Sequence, residues 1–169
     1  MYVHFITFVT TFRCQNRSTV LEDVKFNTLT DSSTLFAYFY FDFRDPEKQN
    51  CHSLVASLID QLAFSCSEVV SQLEKLYSQH RSGREEPSFP ELVNILQMMF
   101  TLHPKRTYII IDALDECNRH SEWSTLIELL QTVSYWNLQN VRLLCTSRPE
   151  KTIADGLSGF SHGINLESS

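Results

Sequence analysis

Three carboxylates crowd the end of one apolar run. Residues Thr107 to Cys117 read TYIIIDALDEC, which places Asp112, Asp115 and Glu116 directly after Tyr108 to Ile111. β-Branched apolar residues favour a strand buried on both faces, the environment of a central parallel strand. Ligands of such sheets collect beyond the carboxyl ends of the strands. Acid groups there can hold Mg²⁺, directly or through its waters, and can polarise an attacking water. A second apolar run, Val141 to Cys145, is followed by TSRP and so carries Arg148 just past its end. In a parallel sheet both ends open on the same edge. A guanidinium there can reach phosphate oxygens and offset the charge that grows in phosphoryl transfer. The small Ala113 leaves room beside Asp112 for metal, water or nucleotide.

Each of these residues also has a plain structural reading. Asp112 can cap the segment after its strand. Asp115 and Glu116 can open a solvated helix, where the dipole favours them. Arg148 can pair with Glu150 at the surface, at little energetic gain. The two charged strand ends taken together favour a site.

Periodicity supplies the elements that must position them. The apolar start, Met1 to Phe12, reads as a buried or edge strand; it is too short for a bilayer span, which takes about 20 residues, and lacks a signal-peptide pattern. Ser18 to Leu29 reads as a short helix. Thr34 to Phe43, dense in aromatics, reads as a strand packed into the core, and residues 44–50 as a polar loop. Leu54, Val55, Leu58, Ile59 and Leu62 recur at helical spacing, and a further helix spans about Ser67 to His80. Residues 81–87 form an exposed linker. Ser88 and Glu91 fit a capping box with Pro90 in the first turn. The helix they open carries Leu92, Ile95, Leu96 and Met99 and closes at His103 and Pro104. A helix over Trp123 to about Val133 separates the two chemistry-bearing strands. The tail after Lys151, rich in Gly and Ser, is expected to fray. This alternation predicts an α/β three-layer sandwich around a mainly parallel sheet.

Bulk properties agree. A chain of 169 residues can bury roughly 68–70% of its unfolded surface and needs no staples. The net charge of -6, with no dense Lys/Arg patch, argues against nucleic acid or an acidic membrane as partner. Five widely spaced cysteines without a Cys-x-x-Cys pair fit a reduced, cytoplasmic chain. Cys117 and His120 lack a second pair at metal spacing, so a structural role outweighs a zinc site. The aromatics Phe36 to Phe43 have no basic neighbours beyond Arg44 that would suit a base-stacking platform. His52, His80 and His103 read as surface or helix-end residues, and no nucleophile elbow is present.

Ile109 to Glu116 resembles the Walker B segment of NACHT-type P-loop ATPases of the STAND class: an apolar strand, Asp, a small residue, an apolar residue, then Asp and Glu. Leu143 to Pro149 (LLCTSRP) is similar to their sensor-1 strand, and Thr34 to Asp45 (TLFAYFYFDFRD) to the second strand of fungal-type, nephrocystin-like members. The resemblance covers Ser18 to Glu150. It implies a P-loop NTPase-like fold using Mg-ATP. Asp112 would bind Mg²⁺ through water, Asp115 and Glu116 would orient the hydrolytic water, and Arg148 would sense the γ-phosphate. It further implies a cytoplasmic nucleotide-controlled switch, often joined to ankyrin or WD repeats, that forms homo-oligomers or pairs with full-length relatives.

One half of such a site is missing. Phosphate binding needs GxxxxGK[S/T], whose glycines let backbone N–H groups curl around phosphate and whose lysine reaches the β/γ oxygens. The glycines here are Gly83, Gly156, Gly159 and Gly163, none before residue 83. If Ser18 opens the helix that follows the loop, the loop belongs near Phe12 to Arg17, which reads FRCQNR. Two explanations stand: a truncated or mis-spliced product, or a degenerate homologue keeping the fold without turnover. The abrupt start of the match inside a helix favours the first. The expected organisation is a non-matching segment over residues 1–17 (a possible surrogate strand), a partial NTPase domain over 18–150 that is incomplete at its N-terminus, and a flexible tail over 151–169. Three functions follow: a fragment of a signalling ATPase with weak or no activity alone, a non-enzymatic interaction module, and, least supported, a Mg²⁺-dependent phosphoesterase.

Overall fold

The computed structural model describes residues 6–10, 34–63, 67–80, 83–103, 105–159 and 162–165. The helix expected over Ser18 to Leu29 and the stretch Phe12 to Arg17 lie outside them. Five strands form one sheet in the order β2-β3-β4-β1-β5: β1 (Ile6–Thr10), β2 (Thr34–Tyr40), β3 (Arg106–Asp112), β4 (Val141–Ser147) and β5 (His162–Asn165). Every pairing is parallel. Among the described residues five α-helices accompany them: α1 (Cys51–Ala63), α2 (Ser67–Gln79), α3 (Phe89–Leu102), α4 (Trp123–Tyr135) and α5 (Lys151–Leu157). This is the α/β architecture that the alternation predicts.

The register fixes the rim on which the strands end. Tyr40 lies beside Asp112, Ile111 beside Cys145, and Thr10 beside both Ser147 and Asn165. The adjacent strands β4 and β1 send their connections in opposite directions, to β5 and to β2. Such a switch point is where ligands of open parallel sheets gather.

The core lies between the sheet and α1, α3 and α4. Leu54 and Leu58 of α1, Phe100 of α3 and Leu129 of α4 meet Ile109, Ile111 and Leu143 around one small void. Ile110, on the opposite face of β3, is also buried. Two helix starts are capped by side chains, the second by the box expected of Ser88 and Glu91. Asn50 Oδ1 accepts Ser53 N–H at 2.7 Å at the head of α1, and Glu91 Oε2 accepts the Ser88 N–H at 2.8 Å at the head of α3. A long-range contact adds to the first: Glu122 Oε2 accepts Cys51 N–H at 2.9 Å, placing a carboxylate on the positive end of α1.

Three departures from the sequence expectations have local causes. β2 stops at Tyr40 rather than Phe43, because Asp42 Oδ1 takes Arg44 N–H at 2.9 Å and turns the chain. Phe43 is therefore 66% exposed rather than packed in the core. Beyond Glu150, where a fraying tail is expected, Ile153 and Leu157 are buried one helical turn apart and anchor α5; β5 then joins the sheet through β1. His103 does end a helix, as expected, but is buried.

Candidate functional site

β3 runs through Asp112 and then breaks. Ala113 has φ 60 and ψ 49, a left-handed conformation that disfavours any Cβ. The bend releases the chain into a short 3-10 turn, Leu114–Glu116, anchored by the fully buried Leu114. Asp115 and Glu116 are thereby brought round above the end of β4.

Asp115 is not the solvated helix-start residue of its plain reading. Its side chain is 4% exposed. Its Oδ1 accepts the Arg148 N–H at 3.0 Å and lies 3.2 Å from the Ser147 hydroxyl. Its Oδ2 lies 3.3 Å from Arg148 Nε. Glu116, 18% exposed, lies 3.9 Å from the same guanidinium and accepts the Phe43 N–H at 3.3 Å. Arg148 pairs with these two acids and not with Glu150, which pairs with Arg119. The side chain of Arg148 is 58% exposed, so its charge remains open to solvent.

Asp112 sits one strand position away and is tied differently. The Thr146 hydroxyl accepts Ala113 N–H at 3.2 Å and is hydrogen-bonded to Asp112 Oδ1. In that bond the Thr146 hydroxyl donates and the carboxylate accepts. Thr146 and Ser147 were not singled out as site residues from sequence. The available signal was their place immediately before Arg148, one register step from Asp112.

A cleft of about 420 Å³ opens beside this cluster, within the range of small-ligand sites. Its wall includes Asp115, Glu116, Cys117, Arg148 and the exposed ring of Phe43; Asp112 is not part of it. On either side of Phe43 in the chain, the Arg44 guanidinium and backbone N–H hold the Asp42 carboxyl down to about 2.

Do these residues suit a magnesium nucleotide? Among the described residues no three His, Cys, Asp or Glu side chains converge as a metal cage. Among those residues the Cys117 and His120 pair gains no partners at metal distance. Mg²⁺ needs few protein ligands when phosphates and waters complete its shell, so one strand-end carboxylate and a neighbouring guanidinium fit half of such a site. The glycine-rich half has no counterpart in the sequence. No helix among the described residues is long and apolar enough to cross a membrane.

Comparison with known proteins follows this geometry. No curated protein sequence matches the chain. A chain of Drosophila ORC, solved bound to DNA, superposes with a TM-score of 0.62 over 98% of this chain at 8% identity. Cdc6p from Pyrobaculum aerophilum superposes with a TM-score of 0.55 over 94% at 9% identity. The present chain spans 38% of the length of each, and at such identity the likeness is one of fold. The sequence model of the nephrocystin 3 N-terminal family matches residues 17–148, most of the sheet and both charged strand ends, and the chain belongs to that family.

Proposed function

We propose that this chain is part of a NACHT-type, nucleotide-controlled signalling switch and binds nucleotide weakly or not at all alone. The observation that carries this reading is the joining of Asp112, Asp115, Glu116 and Arg148 on one carboxyl-terminal rim through Thr146 and Ser147. In this reading Asp112 holds Mg²⁺ through water, and the ion, when bound, neutralises phosphate charge. Glu116, the more exposed of the paired acids, orients water. Asp115 holds Arg148 in place, and Arg148 offers its exposed guanidinium to a phosphate.

The lost glycines and lysine set the expected affinity. Each charge-assisted phosphate contact contributes roughly 1.5–3 kcal/mol, so several missing donors remove most of the binding energy. A second reading, a non-enzymatic module that pairs with intact relatives as its partners, is favoured by one observation: no glycine precedes Gly83. The net charge of -6 argues against nucleic acid as a partner, whatever the DNA-bound ORC binds.

Titration of the chain with Mg-ATP by calorimetry tests the reading. Little or no heat at micromolar ligand is expected. A micromolar dissociation constant abolished by Asp112→Ala would overturn the weak-binding reading and assign nucleotide binding to this chain itself.

A further inference from the structure

Two cysteines far apart in sequence lie on adjoining segments beneath the acid turn. Cys51 opens α1 and Cys117 follows Glu116 directly, and both are free thiols. They are 1% and 3% exposed. The segments that carry them lie against each other. Each also touches the backbone beside its partner: Cys117 Sγ lies 3.7 Å from Gln49 O, and Cys51 Sγ lies 3.7 Å from Glu122 O. Asn118 N–H donates to Gln49 O at 3.2 Å, holding the two segments side by side.

The two thiols differ in access. Cys117 forms part of the wall of the 420 Å³ cleft, whereas Cys51 does not. A small oxidant in the cleft therefore meets Cys117 first. The neighbouring Cys117 thiol, and then burial, push the Cys51 thiol up, so Cys51 is the poorer first nucleophile and suits the second, resolving step.

We propose that Cys51 and Cys117 are an oxidisable pair whose substrate is a small peroxide admitted through the cleft. The Cys117 sulfur attacks one peroxide oxygen as its thiol proton is given up. An S–O bond forms, the O–O bond breaks, and the departing oxygen takes a proton and leaves as water, giving Cys117 sulfenic acid. Cys51 sulfur then attacks the Cys117 sulfur. An S–S bond forms, the S–O bond breaks, and the hydroxide leaves as water with the Cys51 proton. Two thiols are oxidised by two electrons, and one peroxide is reduced to two waters. The disulfide would tie the acid turn to the head of α1, one residue from Glu116.

Native chain treated with hydrogen peroxide, then denatured, alkylated and mapped by mass spectrometry, tests this. The expected product is a peptide pair joined through Cys51 and Cys117, released by dithiothreitol. In Cys51→Ser, a dimedone adduct on Cys117 is expected, because the sulfenic acid has no resolving thiol. The proposal is overturned if both thiols remain fully alkylatable after oxidation of folded chain. It is also overturned if either pairs instead with Cys14, Cys66 or Cys145, or if Cys51 is the one that gains oxygen. The wild-type map needs no variant, so poor folding of Cys51→Ser leaves the test decisive.

Discussion

Arg148 is bound to Asp115 twice, through its backbone N–H at 3.0 Å and through its guanidinium at 3.3 Å. The two bonds differ in weight. The backbone bond satisfies a carboxylate that is almost wholly withdrawn from water, whereas the guanidinium is more than half exposed. The carboxylate therefore carries the architecture, and the guanidinium is the part that can be lent to a ligand.

Asp115→Ala should lower unfolding stability by about 2 kcal/mol, because it strips the end of β4 of its partner. Arg148→Ala should cost less than about 1 kcal/mol, since solvent screens its ion pair and the backbone bond survives. Urea denaturation of both variants and the double variant gives the coupling. Two equally small and additive effects would remove Asp115 from the role of anchor.

Thr146→Val keeps shape and removes one hydroxyl. Ala113 N–H and Asp112 Oδ1 then both lose a partner in a buried setting, at a cost of about 1–3 kcal/mol. Thr146→Ser should retain most of the stability. Equal midpoints for the valine and serine variants would show that the hydroxyl bridge contributes nothing.

Gln61 closes the open edge of the sheet. Its carboxamide accepts Tyr38 N–H at 3.1 Å and donates to Tyr38 O at 2.8 Å, pairing edge strand β2 as a neighbouring strand would. Removing it by Gln61→Ala frees a strand edge, a template for intermolecular pairing. Light scattering across a concentration series should show more self-association than the parent chain does. Identical curves would rule out this protective role.

Acid should weaken the fold in two steps. Glu91 is depressed below 4.5 by the Ser88 hydroxyl, then by the Ser88 backbone N–H and by His80; Asp42 is depressed from 3.8 to about 2 by Arg44. For a depressed acid the unfolded chain takes up the proton first, so its contribution is intact above the unfolded value and lost as pH falls through the folded one. Glu91→Gln should flatten the stability curve just below pH 4.5, and Asp42→Asn should flatten it between 3.8 and about 2. Unchanged slopes in both variants would contradict these assignments.

The strands that carry the rim were legible because their side chains obey burial. Ile109 to Ile111 and Leu143 to Cys145 are apolar runs ending in charge, and parallel pairing follows from the helices between them. Arg148's true partners were not legible: Glu150 is near in sequence, while Asp115 arrives only through the left-handed turn at Ala113. The roles of Gln61 and Glu122 left no sign in the sequence, since a side chain that pairs backbone from another element leaves no periodic trace. α5 was hidden by its glycine and its brevity, although Ile153 and Leu157 have the spacing of a buried face.

The inward place of β1 has a consequence for synthesis. Ile6 pairs with Leu143 and Val9 with Ile164, so this strand is made long before either of its neighbours. At ribosomal speeds of about 5–20 residues per second, it waits on the order of ten seconds for them. Meanwhile β2 and β3 can pair with their own helices. Until β4 emerges, β1 has no strand of this sheet to receive it.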